Sequence, residues 1–131
     1  MSLQTSPFDP LKTALAYLEC VRAMDTAAML TYFAEGAKVW LPGQGWMEPA
    51  QLAALLDGAR TLVTNGMQFT HQGTMVDGNR VAVMTACDSP LAGGGSYKND
   101  FCFIFTFDTA GKIAEMREYT DSAPAVAAFH S

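Results

Sequence analysis

Glu118, in the segment GKIAEMREYTD, is the acidic residue that its neighbours most strongly turn inward. Met116, Glu118 and Thr120 alternate there against Glu115, Arg117 and Tyr119, so a strand that buries Met116 buries Glu118 with it. A carboxyl taken out of water has its charged form disfavoured, and its pKa then rises to where it gives or takes a proton near neutrality. The plain alternative is a cross-strand ion pair or a solvated carboxylate. Asp121 follows one residue past the strand, either as a second acid or base at a pocket rim or as the cap of a tail helix. His71, central in FTHQG and on the same face as Phe69, is either an imidazole at a site or a hydrogen-bonded core histidine. Tyr17 lies between Ala14 and Val21 on a helical pattern, where it buries its ring and aims its hydroxyl at a cavity or simply packs. A hydroxyl donor, an imidazole and carboxylates around one apolar site suit proton transfer next to a carbonyl: cyclisation, isomerisation or dehydration.

The apolar site would come from the segment YKNDFCFIFTF. Alternation puts Tyr97, Asn99, Phe101, Phe103, Phe105 and Phe107 on one face and Lys98, Asp100, Cys102, Ile104 and Thr106 on the other. The aromatic face must be buried, either as a filled core or as the wall of a ligand cavity with Phe69, Phe101, Phe103, Met116 and Trp40 around the ligand. Asn99, polar at the edge of the stripe, either orients a ligand or serves strand entry.

The elements that must position these groups follow from spacing. Asp9-Pro10 starts a helix in which Leu11, Leu15 and Leu18 recur up to Met24. Asp25 caps a second, short helix with Met29, Tyr32 and Phe33 on one face and Gly36 as its stop. A brief strand over 38–41 ends at Pro42-Gly43-Gln44-Gly45, and Glu48-Pro49 opens a third helix with Leu52, Leu55, Leu56, Ala59 and Val63, closed by Asn65-Gly66. From Met67 the period becomes alternating, predicting an antiparallel meander over 67–75, 80–87, 97–108 and 112–120, with a tail helix over 123–129. Asp77-Gly78 and Ala110-Gly111 mark tight turns, and Pro90 to Ser96 a longer glycine-rich connection. Helices followed by a sheet predict an α+β domain, one sheet face covered by helices and the other left for solvent or a partner.

Composition bounds the rest. A chain of 131 residues, 50% hydrophobic and 16% charged, is one folded domain over 1–131. A net charge of −5 attracts neither a nucleic-acid backbone nor an anionic membrane. No apolar run approaches the roughly 18 residues of a membrane span. The start MSLQTSPFDP lacks the basic and apolar regions of a secretory signal, so cytoplasmic residence is the expectation. Cys20, Cys87 and Cys102 have no paired spacing and read as small buried hydrophobes. Two histidines without ligand spacing point away from a metal, and neither a GxGxxG fingerprint nor a phosphate loop is present, so the expected chemistry uses no cofactor.

With MLTYFAEGAKVWLPG, VDGNRVAV, YKNDFCFIFTF and GKIAEMREYTD in this order, the chain resembles the nuclear transport factor 2-like superfamily, in its SnoaL-like polyketide cyclase branch. The resemblance spans nearly the whole sequence. It implies a cone: a strongly curved mixed or antiparallel sheet wrapped around three N-terminal helices, with an apolar cavity for a small hydrophobic ligand and a homodimer through the outer sheet face. Against the ketosteroid isomerases of that superfamily, Tyr17 falls at the oxyanion-hole tyrosine, while Leu41 and Phe103 replace the two aspartates. Against limonene epoxide hydrolase, Glu118 falls at a catalytic aspartate. His71 resembles one of the two catalytic histidines of scytalone dehydratase, and Glu118 or Asp121 would supply the acid that polyketide cyclases carry near the end of the last strand. Each comparison retains one residue and loses its partners, which leaves an alternative: a non-catalytic ligand-binding or dimerisation module of the same fold.

Overall fold

The computed structural model describes residues 8–129. Asp9 begins helix α1 (Pro10–Arg22) as expected: its carboxylate accepts the Lys12 N–H at 3.1 Å, and Pro10 occupies the first turn. The helix buries Ala14, Tyr17 and Leu18. Met24, at φ 56°, reverses the chain, and Asp25 caps α2 (Thr26–Leu30) by accepting the Ala28 N–H at 3.1 Å.

The second helix is shorter than its spacing predicts. It ends at Leu30, and strand β1 (Phe33–Leu41) has already begun at Phe33. The Tyr32 carbonyl accepts the Ile113 N–H at 2.9 Å, so sheet pairing overrides a helical periodicity only a few residues long. Gly36 therefore does not stop a helix. With φ +77°, it sits inside β1 where the pairing shifts register between Phe33 and Lys38, a conformation that glycine adopts without steric cost. A short strand β2 (Gly45–Met47), not expected from the sequence, pairs back on β1 after the Pro42-Gly43 turn. Helix α3 (Pro49–Ala59) gives way to a 3-10 turn (Arg60–Leu62) and does not reach Val63, which instead bridges to Leu91.

The four strands of the meander stand near their predicted places: β3 (Phe69–Asp77), β4 (Arg80–Pro90), β5 (Ser96–Phe107) and β6 (Ile113–Thr120). Helix α4 (Ser122–Phe129) closes the described chain. The six strands form one open, curved sheet in the order β2-β1-β6-β5-β4-β3, mixed because β1 runs parallel to β6 while every other pair is antiparallel. This is an α+β fold. Its inner face buries Val39, Val81, Val83, Phe105, Ile113 and Met116. No helix among the described residues is long and apolar enough to cross a membrane. The cysteines are free, but only Cys87 is buried; Cys20 and Cys102 are half-buried.

Candidate active site

The phenylalanine stripe of β5 serves two purposes along its length. Phe105 and Phe107 are fully buried, and the Tyr17 ring of α1 packs edge-on to Phe105 at 5.5 Å, so this half is a filled core. Phe101 and Phe103, stacked at 5.2 Å, instead wall a cavity of about 340 Å³. Leu52, Leu55 and Leu56 of α3 face them across it, with Phe69 of β3 and Phe129 of α4 at the sides.

Among the described residues Glu118 is the only carboxyl on that wall. Its place is set by the ladder, where it is the direct partner of Phe103 across β5 and β6, and Met116 two residues earlier is buried in the core. The sequence reading of the alternation thus matches the observed orientation. Burial in apolar surroundings pushes the Glu118 pKa up to about 7. No cation and no hydrogen-bond donor among the described residues offsets that penalty. A carboxyl so placed exists in both protonation states near neutral pH.

The other predicted residues divide into those at the cavity and those away from it. Phe69, Phe101 and Phe103 line it with Glu118. Tyr17 lies behind the wall, fully buried among Tyr32, Phe33 and Phe105, and its hydroxyl has no hydrogen-bond partner among the described residues. Burial raises its pKa well above the ordinary tyrosine value, and the charge of Glu118 adds to the rise. Met116 is core rather than cavity lining.

Four residues are placed elsewhere. His71 is exposed, and its Nδ1 pairs with Thr85 Oγ1 at 2.8 Å across β3 and β4, outside the cavity wall. Asp121 is exposed as well; its carboxylate accepts the Ala123 N–H at 3.0 Å and so holds the start of α4. Trp40 belongs to the outer sheet face, with its ring 5.2 Å from that of Tyr119. Neighbouring strand positions point to opposite faces, so the burial of Val39 and Leu41 sends Trp40 outward. Asn99 is half-buried beside the cavity and ties three groups together: its Nδ2 donates to Tyr97 Oη (2.9 Å) and to the Asp121 carbonyl (2.8 Å), and its Oδ1 accepts the Asp100 N–H (2.9 Å).

Tyr97 is the polar wall residue that spacing did not single out, although it shares the face of Phe101 and Phe103. Gln44, from the turn after β1, is the third polar residue at the cavity. The signal for Tyr97 was its parity with Asn99 on the stripe; nothing local marked Gln44, whose position depends on the unforeseen β2.

The SnoaL-like domain family matches this chain over residues 14–116. No curated protein matches it in sequence. Among solved structures, a candidate SnoaL-like polyketide cyclase from Jannaschia sp. CCS1 is 17% identical, with 99% of each chain covered and a TM-score of 0.76. An NTF2-like protein from Burkholderia xenovorans LB400 is 21% identical over 96% of this chain and 99% of its own, with a TM-score of 0.70. TerC, co-crystallised with polyporic acid, is 20% identical over 93% of this chain and 98% of its own, with a TM-score of 0.74. These likenesses share the α+β architecture with the curved sheet. The family match takes in every element from α1 to the middle of β6, and the chain belongs to the SnoaL-like domain family.

Proposed function

We propose that this protein takes a small hydrophobic carbonyl compound into the cavity and that Glu118 moves a proton on it without a cofactor, in a cyclisation, isomerisation or dehydration. The observation that carries this reading is a carboxyl unpartnered among the described residues, with its pKa raised to about 7, on a mostly apolar wall. The co-crystallisation of TerC, a protein of the same fold, with polyporic acid supports a small-molecule ligand for this chain. In this reading a second copy of the chain packs on the outer sheet face, where Trp46, Met75, Met84 and Tyr119 are exposed.

A second reading, ligand binding without turnover, is favoured by the positions of His71 and Asp121 away from the cavity, which leave Glu118 without a second acid or base. Thermal-shift screening with hydrophobic ketones and acids, followed by NMR assay of each hit for turnover, separates the two. Under the catalytic reading Glu118→Gln retains binding and loses about 100-fold or more in rate. Unchanged turnover in that variant removes Glu118 from the reaction, and binding with no turnover in the parent protein selects the second reading.

A further inference from the structure

We propose that Tyr97 is the oxygen-binding residue of the cavity: its hydroxyl, oriented by Asn99, donates a hydrogen bond to the carbonyl oxygen of the ligand whose neighbouring carbon faces Glu118. The inference rests on the cavity being a ligand site, as argued above, and adds a residue and a binding orientation to it.

Asn99 sets the direction of the hydrogen bond at Tyr97. An amide side chain offers an oxygen that accepts and a nitrogen that donates, and its two ends are told apart by their partners. The Asp100 N–H needs an acceptor and the Asp121 carbonyl needs a donor, which fixes Oδ1 on the first at 2.9 Å and Nδ2 on the second at 2.8 Å. Nδ2 also stands 2.9 Å from Tyr97 Oη, so at that contact the amide donates and the phenol accepts. The phenolic proton is left over. No acceptor for it is found among the described residues, and Tyr97 is a wall of the cavity. Burial raises the Tyr97 pKa to about 12, with the Asn99 bond opposing and the Glu118 charge adding to the rise, so the group keeps its proton through the neutral range. The cavity thus holds one fixed donor and one group that exchanges protons.

A carbonyl compound uses both. When Glu118 is ionised it takes the proton from the carbon beside the carbonyl; the C–H pair moves into the C–C bond, the carbonyl π pair moves onto oxygen, and the Tyr97 O–H stabilises the resulting enolate. Return of the proton from Glu118 to oxygen or to another carbon completes an isomerisation with no external reagent.

The probes are 2-acetonaphthone and naphthalene, which share a ring system and differ by the carbonyl group. Calorimetric titration of the parent protein, Tyr97→Phe and Asn99→Asp gives affinities, and infrared spectra give the carbonyl stretch of the bound ketone. Tyr97→Phe should weaken the ketone about tenfold and leave naphthalene unchanged, which also shows that the variant is folded. Asn99→Asp turns the phenolic proton toward the new carboxylate and should weaken the ketone similarly with the hydroxyl still present. The stretch, lowered in the parent protein, should return in both variants to its value in apolar solvent. Equal ketone affinity and an unmoved stretch in Tyr97→Phe overturn the assignment while the cavity stands. If neither probe binds the parent protein, the ligand-site reading fails and the assignment fails with it.

Discussion

Glu118 and Phe103 are direct partners across the β5–β6 ladder, so the acid of the cavity emerges beside the aromatic ring that desolvates it. Sheet geometry sets the raised pKa, because no rotation of either backbone segment is free to part the two positions. The consequence for stability has a definite sign. Glu118 titrates at about 7 in the folded protein, above the ordinary 4.5 it regains on unfolding. The folded state therefore holds the proton more tightly, and stability present below pH 4.5 is lost as the pH rises toward 7. Glu118→Gln should match the parent protein at pH 4 and exceed it by about 1–2 kcal/mol at pH 8, a value reduced for partial exposure to the cavity. Urea unfolding at the two pH values measures this; equal curves at pH 8 would mean that the carboxyl is better solvated than its position implies.

Tyr17 carries a buried hydroxyl with no partner among the described residues and a ring held edge-on by Phe33 and Phe105 at 5.4 and 5.5 Å. Removing only the oxygen keeps the packing and removes a desolvation penalty. Tyr17→Phe should leave stability unchanged or raise it by about 1 kcal/mol. A loss of 1 kcal/mol or more in chemical denaturation would show that the hydroxyl has a partner in solution.

Gly66, at φ +75°, approaches the end of α1 so closely that an added Cβ would lie 2.5 Å from the Arg22 carbonyl oxygen. That carbonyl also accepts the Met67 N–H at 2.8 Å, which fastens the strand entry to the helix. Gly66→Ala should cost about 2–3 kcal/mol through strained backbone and contact together. Gly78→Ala, at φ +60° with open space around it, should cost only about 1 kcal/mol. Paired urea midpoints decide the matter, since equal losses would leave the contact with Arg22 without effect.

The outer sheet face leaves Met75 at 62% and Met84 at 40% exposure, close together across β3 and β4. Met84→Arg should convert the proposed dimer to a monomer without unfolding it, as followed by sedimentation equilibrium and circular dichroism. A parent protein already monomeric at micromolar concentration would overturn the dimer.

The sequence made the sheet legible because its strands are long and their alternation strict: β5 alone places six aromatic or amide side chains on one face. The same regularity oriented Glu118. Elements decided by pairing rather than by periodicity were harder to see. Phe33 looked helical beside Met29 and Tyr32, yet hydrogen bonding to the distant Ile113 segment claims it for β1. His71 shows the limit for the site, since face parity put it with Phe69, but parity does not say how far along the sheet a cavity extends. Asp121 and Asn99 each had a structural and a ligand-facing reading open, and only the positions of the Ala123 and Asp121 backbone groups show what they bind.

Strand β6 is hydrogen-bonded on both sides, to β1 and β5, whereas the opposite side of the cavity is formed by α3 and α4. The acid is therefore mounted on an inner strand and the enclosure on helices that touch the sheet through side chains. A molecule entering or leaving past the helices need not disturb the register of the strand that carries Glu118. In the proposed reaction, admission of the ligand and transfer of the proton would therefore fall to mechanically separate parts of the fold.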